Sequence, residues 1–137
     1  MLLDDLALYL QSAGLGAATT STGERTIFRG QLPDQPDAAI GLLEYGGLAP
    51  VRAMFPAIVH EQPRVQVLVR HRTYDGARAK AEAIFTALDS VGNTTLTSTG
   101  PRYGFIEALQ SPFLLTRDAN DRVVLALNLQ IRKGLST

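Results

Sequence analysis

Large apolar side chains recur at every second position over Arg122 to Arg132. Val123, Leu125, Leu127, Leu129 and Ile131 share one face, and Val124, Ala126, Asn128 and Gln130 share the other. This period of two predicts a long antiparallel strand with one face on a core and the other on solvent or a partner. The same alternation sets Val65, Val67 and Val69 against Gln66, Leu68 and Arg70, predicting a strand over Arg64 to Arg72, with Ala57 to Glu61 a separate strand before Pro63. From Tyr74 to Val91 the period lengthens to that of a helix. Ala77, Ala81, Ile84, Phe85, Leu88 and Val91 form one stripe, and Arg78, Lys80, Glu82 and Asp89 lie off it. Thr73 caps its start, Asp75 suits its first turn, and Gly92-Asn93 stops it. A shorter amphipathic helix is predicted over residues 2–13, with Leu3, Leu6, Ala7 and Leu10 on one side, Asp4 and Asp5 near the positive end of its dipole, and Gly14 and Gly16 after it.

The remaining segments read as short strands. Thr26 to Arg29 and Ala38 to Tyr45 flank a stretch broken by Pro33 and Pro36, and they are placed to form a hairpin. In the second strand Ile40 and Leu42 share one face, and Leu43 and Tyr45 the other. Gly46 to Pro56 reads as a loop, since Gly46, Gly47, Pro50 and Pro56 disfavour regular structure, yet Leu48, Val51, Met54 and Phe55 are more apolar than a solvated loop needs. Thr94 to Thr99 reads as a weak, edge-like strand. Tyr103 to Gln110 and Phe113 to Arg117 follow, and Asp118-Ala119-Asn120-Asp121 supplies a turn into the last strand. The expected fold class is α+β, a mostly antiparallel sheet with two helices packed on one face, built by residues 1–137 as a single domain.

Composition narrows the function classes. Apolar residues at 45% supply one core, and thirteen basic residues balance thirteen acidic ones. The broad cationic field of a dedicated nucleic-acid binder is therefore missing. With no cysteine there are no disulfides, thiolate metal sites or thiol nucleophiles. No apolar run approaches the ~20 residues of a membrane span, and Met1-Leu2-Leu3-Asp4-Asp5 puts acids where a secretory signal needs positive charge, so a cytosolic product is expected. Eleven of the basic residues are arginine and only Lys80 and Lys133 are lysine, a bias that suits protein interfaces.

Candidate chemistry is sparse. Gly14-Leu15-Gly16 follows a helix instead of preceding one, so it reads as a helix stop and not a pyrophosphate loop. Neither a Gly-Lys-Ser/Thr phosphate loop nor a Gly-x-Ser-x-Gly elbow occurs. His60 and His71 lie near strand ends, with Glu61 beside the first, and their spacing creates no helical face that would join them on a metal. Arg64, Arg70, Arg72 and Arg78 form either a salt-bridged face, with Glu82 one turn from Arg78, or a basic patch that pairs across subunits. Met54 and Phe55 either fold back on the core or face a partner. No catalytic, cofactor-binding or metal-ligating residue is assigned.

Several stretches resemble the tail terminator, or tail completion, proteins of long-tailed bacteriophages, including the group labelled phage minor capsid protein. These are Leu2-Leu3-Asp4-Asp5-Leu6-Ala7-Leu8-Tyr9-Leu10, then Ile27-Phe28-Arg29-Gly30 with Leu32-Pro33, and Pro63 to Arg70 leading into Tyr74 to Ala81. Leu109-Gln110-Ser111-Pro112-Phe113, Arg117-Asp118 and the closing strand continue the likeness over nearly the whole chain. The resemblance implies a non-enzymatic virion subunit without cofactors. It implies a homohexameric ring on the head-proximal end of the tail, capping the tail tube protein and meeting the head–tail connector or stopper protein. DNA passes only through the bore, no membrane is involved, and assembly takes place in the host cytoplasm. Another neck or head-completion protein is the alternative within that class. A small ligand-binding or enzymatic α+β domain with a pocket near His60 or His71 is the alternative outside it. The residues themselves nominate Val51, Arg52, Met54 and Phe55 for contact with the tube or a neighbouring subunit, and Arg70, Arg72 and Arg78 for polar rim contacts.

Overall fold

The alternating segments pair into one seven-stranded sheet and the two helical stripes close over it. In chain order the elements are α1 (Leu2–Ser12), β1 (Ile27–Arg29), β2 (Ala39–Arg52), β3 (Ile58–His71), α2 (Tyr74–Leu88), β4 (Val91–Thr95), β5 (Arg102–Ala108), β6 (Phe113–Arg117) and β7 (Val123–Gly134). The computed structural model describes residues 2–17, 25–34, 36–52, 58–89, 91–96 and 102–134. The sheet order is β1-β2-β3-β7-β5-β4, with β6 also paired to β7. All pairings are antiparallel except β1 with β2. The expected α+β class is what the structure shows.

One core cluster joins both helices to one face of the sheet. Val123, Leu125, Leu127, Leu129 and Ile131 of β7 are all buried, as their alternation predicts, and they meet Val65, Val67 and Val69 of β3 and Ile40 and Leu42 of β2. Helix α2 lies against β3, β5 and β7 through Ala77, Ala81, Ile84 and Leu88, and α1 lies against β1 and β2. Thr73 caps α2 as expected, its hydroxyl accepting from the Gly76 N–H at 3.1 Å. Gly14 takes a φ of 79° and ends α1, the Leu15 N–H reaching the Leu10 carbonyl at 3.0 Å.

Four expectations are corrected. Helix α2 stops at Leu88 instead of Val91, because Asp89 turns extended as C-cap and Val91 opens β4. Strands β1 and β2 do not form a hairpin: they run parallel, with Ile27 opposite Ile40 and Arg29 opposite Leu42. Parallel neighbours normally need a dozen or more connecting residues. Because β1 spans only three residues, the return path is roughly 10 Å, which residues 30–38 cover across the sheet face away from the helices. Gly41 on that face permits the approach, since a Cβ there would stand 3.0 Å from the Gln31 carbonyl oxygen and 3.2 Å from Leu32 Cβ.

The third and fourth corrections concern glycine and proline. Gly46 to Arg52 is strand, and β3 runs unbroken through Pro63, so β2 and β3 form a long hairpin arm, along which β7 stays paired to β3 as far as His60. The irregular residues are absorbed by register shifts: Gly47 at φ 136° stands opposite Pro63. On the other side, the Gln130 amide of β7 donates to the carbonyls of Gln62 and Pro63 at 3.2 and 3.3 Å. Pro63 thus sits where the ladder asks for no N–H.

A prediction follows for this bulge. A Cβ at Gly47 would lie 2.7 Å from the Gln62 carbonyl oxygen, whereas one at Gly46, φ 45°, meets nothing within 4 Å. Gly47→Ala is expected to cost about 1–3 kcal/mol and Gly46→Ala about 1 kcal/mol, read as the difference in urea midpoints. Equal losses at the two positions would mean that the backbone conformation, and not the close approach to β3, sets the cost.

Candidate assembly interface

Of the seven nominated residues, five lie among the described ones, and these separate into two groups at opposite ends of the sheet. Val51 pairs with His60 and Arg52 with Ile58 at one end of β3, while Arg70 and Arg72 lie at its other end and after it. Ten residues of strand, roughly 33 Å, separate the two ends. Met54 and Phe55 lie outside the described residues. His60 and His71 are likewise held at opposite ends of β3, so they do not converge on a metal. His71 Nδ1 accepts from the Thr73 N–H at 3.2 Å, serving the turn into α2.

Arg70 and Arg72 meet in a cluster that fastens the residue 30–38 crossover to the sheet. Arg70 is 4% exposed, and its guanidinium donates to the Asp37 and Pro36 carbonyls at 3.1 and 2.6 Å. Burial, aided by the Arg122 charge, holds its pKa below the ordinary value. Arg72 is exposed and donates to Asp37 Oδ2 at 2.5 Å. The organising residue is one that periodicity did not single out: Arg122, 4% exposed, pairs with Asp34 at 2.7 Å, Asp118 at 2.8 Å and Asp37 at 3.1 Å. Its only local signal is the turn before β7, where Asp118 Oδ1 accepts from the N–H groups of Asn120 and Arg122 and Asp121 adopts a φ of 60°. Asp34 and Asp37 arrive from more than eighty residues away. Val124 and Ala126, on the face away from the helices, are buried at this end of the sheet. That side of β7 is therefore partly covered within the chain itself. Toward the arm it is polar, with Arg64 donating to Gln130 at 2.8 Å and Gln66 to Asn128 at 3.1 Å.

Arg78 stands apart from this cluster. It makes the expected one-turn ion pair with Glu82 at 3.1 Å, and it donates to the Pro112 carbonyl at 2.6 Å, tying α2 to the β5–β6 connection. The four arginines of the sequence patch are thus each engaged within the chain. A recess of about 280 Å³ near His71 is lined by Leu15, Ile40, Arg70 and Lys80 among others, and the Lys80 ammonium there donates to the Leu15 carbonyl at 3.0 Å.

The charge cluster sets an acid limit on stability. The Arg72 hydrogen bond, seconded by Arg122, holds Asp37 below the ordinary 3.8, and the Arg122 N–H does the same for Asp118. Burial lowers the Arg122 pKa, but its bonds to Asp34, Asp118 and Asp37 outweigh that and raise it. Carboxylates with depressed folded pKa values stabilise the fold above their unfolded value and lose that contribution as pH falls through the folded one. Urea midpoints are expected to stay level at neutral pH and to drop below about pH 4, with a shallower drop in Asp118→Asn. An unchanged acid slope in that variant would remove Asp118 from the effect.

The fold, an open mostly antiparallel sheet with helices on one face, is shared with a chain of a solved virion. The fold matches a chain from the "Virion of native gene transfer agent (GTA) particle" with a TM-score of 0.63 at 15% identity, over 98% of this chain and 95% of that one. The particular family follows from the sequence itself: the family model described as bacteriophage tail terminator protein matches residues 9–134, and the chain belongs to that family. It is a structural virion protein and not an enzyme, as the resemblance implied. Among curated proteins no match was found.

Proposed function

We propose that this tail terminator assembles as a six-membered ring on the head-proximal end of the tail tube, stops tube polymerisation and forms the tail side of the head–tail joint, with DNA passing through the bore. Its partners are further copies of itself, the tail tube protein and the head–tail connector or stopper. The observation that carries this reading is family membership over residues 9–134. The geometry supports it: a ring needs two different complementary surfaces on each subunit, and the backbone positions of Val51 and Arg52 lie at one end of β3, with Arg70 and Arg72 at the other. Val51, Arg52, Met54 and Phe55 contact the tube or a neighbour at the arm end. Arg72 and Arg78 supply polar rim contacts at the other end, where Arg70 acts through the crossover carbonyls it holds.

Light scattering after size exclusion, in solution and then with purified tubes, tests the reading. A ring has a mass of about 89 kDa against 14.8 kDa for one chain, and it should block further growth when bound at tube ends. Met54→Asp combined with Phe55→Asp is expected to give a folded chain that no longer caps. Full capping by that variant would take both residues out of the interface. A wild-type chain that neither closes a ring nor binds tube ends, yet binds isolated portal, would identify another neck component instead.

A further inference from the structure

The sheet is open and its two sides end differently. On one side β1 covers β2 only over Ile40 to Leu42, so the outer edge of β2 from Leu43 onward has no strand beside it among the described residues. Gly46, Gly47, Leu48 and Ala49 are exposed there, Leu48 to 53%. On the other side the sheet ends in β4 beyond β5 and, along the other half of β7, in β6, which pairs only with β7 and has no neighbour at its outer edge among the described residues. A register shift between Leu114 and Thr116 leaves two consecutive leucines outside, Leu114 at 53% and Leu115 at 47%. Strand β6 contains neither proline nor lysine, the usual protections of an edge. Three of the six large apolar residues exposed among the described residues therefore lie on these two unpaired edges.

We propose that the subunits of the ring join edge to edge, β6 of one copy adding to the free outer edge of β2 in the next, so that the sheets run continuously around the assembly. The inference rests on the ring reading above and names the surfaces that close it. A second copy is the occupant because the two edges lie on opposite sides of one sheet and are different from each other, which is what a heterologous, closing contact requires. Both expose leucine beside backbone donors and acceptors, so each offers what the other lacks. The edges are also displaced along the strands. β6 lies level with β3 residues 68–71 through β7, whereas the free part of β2 lies level with residues 58–66. Joining them sets the strands at a slant to the ring axis, as closure of a sheet requires.

The test uses the full chain with Leu48→Lys on one edge and Leu114→Lys with Leu115→Lys on the other. Each variant alone should remain near 14.8 kDa where the wild type forms a ring. Mixed in equal amounts they retain one intact edge of each kind, and should give a dimer of about 30 kDa and nothing larger. Rings formed by either lysine variant would overturn the edge contact while leaving the ring reading intact; a wild type that forms no ring in solution or on tubes would overturn both. If a lysine variant fails to fold by circular dichroism, Leu48→Cys with Leu115→Cys decides. The chain has no cysteine of its own, so oxidation should yield a reducible ladder from dimer to hexamer. An assembled ring that gives no ladder would overturn the proposal.

Discussion

Leu127→Ala should remove about 2–5 kcal/mol of stability, a large share of the ~5–15 kcal/mol that holds a domain of this size. Leu127 is 1% exposed and stands opposite Val67 in the middle of the core cluster. Its place along β7 makes the site hard to repair. Strand β6 covers β7 from Val123 to Ala126 and β5 covers it from Leu129 onward, so Leu127 lies at the gap where the chain detours from β5 to β6. Its side chain stands on the helix face among the core cluster, so truncation leaves a cavity inside the core. Leu8, 41% exposed on the outer side of α1, provides the control: Leu8→Ala should change stability by less than about 0.5 kcal/mol. The two are compared by urea unfolding at neutral pH. A loss at Leu127 as small as that at Leu8 would mean that the core relaxes freely around the gap.

The contrast between local and distant determinants explains how much could be read from the chain. Strand β7 and helix α2 were legible because each is long enough for its period to repeat, and burial of Val123 through Ile131 and of Ala77 through Leu88 follows that period. The arm was not legible. Glycine and proline signal a loop, and only the partner strand shows that Gly47 faces Pro63 and that Gln130, 67 residues away, satisfies the carbonyl beside it. The parallel pairing of β1 was hidden for a related reason, since hairpin and crossover differ in where a nine-residue connection travels and not in its composition. Of the basic patch, the sequence marked the Arg78–Glu82 ion pair, one helical turn apart. It could not mark Arg122, whose carboxylates come from two separate loops. Nor could it mark the exposed edges of β2 and β6, because an unpaired edge is a property of the sheet order and not of any one strand.

The second large effect is expected where α1 meets β5. Asp5 and Tyr103, 98 residues apart, are both buried, and the Tyr103 hydroxyl donates to Asp5 Oδ2 at 2.6 Å. Removing one partner strands the other away from water. Tyr103→Phe and Asp5→Leu should each cost about 1–3 kcal/mol, whereas the double variant should lie much closer to the wild type. That non-additivity is the signature of a paired buried group, and a double-mutant cycle in urea measures it. Simple addition of the two losses would make the contact incidental to packing. The pair also gives an alkaline signature. Burial first, and then the hydrogen bond and charge of Asp5, push the Tyr103 phenol well above its ordinary 10.0. A phenol whose folded pKa is raised contributes stability that is complete below its unfolded value and is lost as pH rises past it. The wild type should therefore weaken above about pH 10, and Tyr103→Phe should weaken less steeply over the same range. Because this bond fastens α1 to the strand beside the edge β4, its loss loosens the helix layer without touching β6. A destabilised Tyr103→Phe chain that still closes rings would separate the stability of the subunit from the contacts that assemble it.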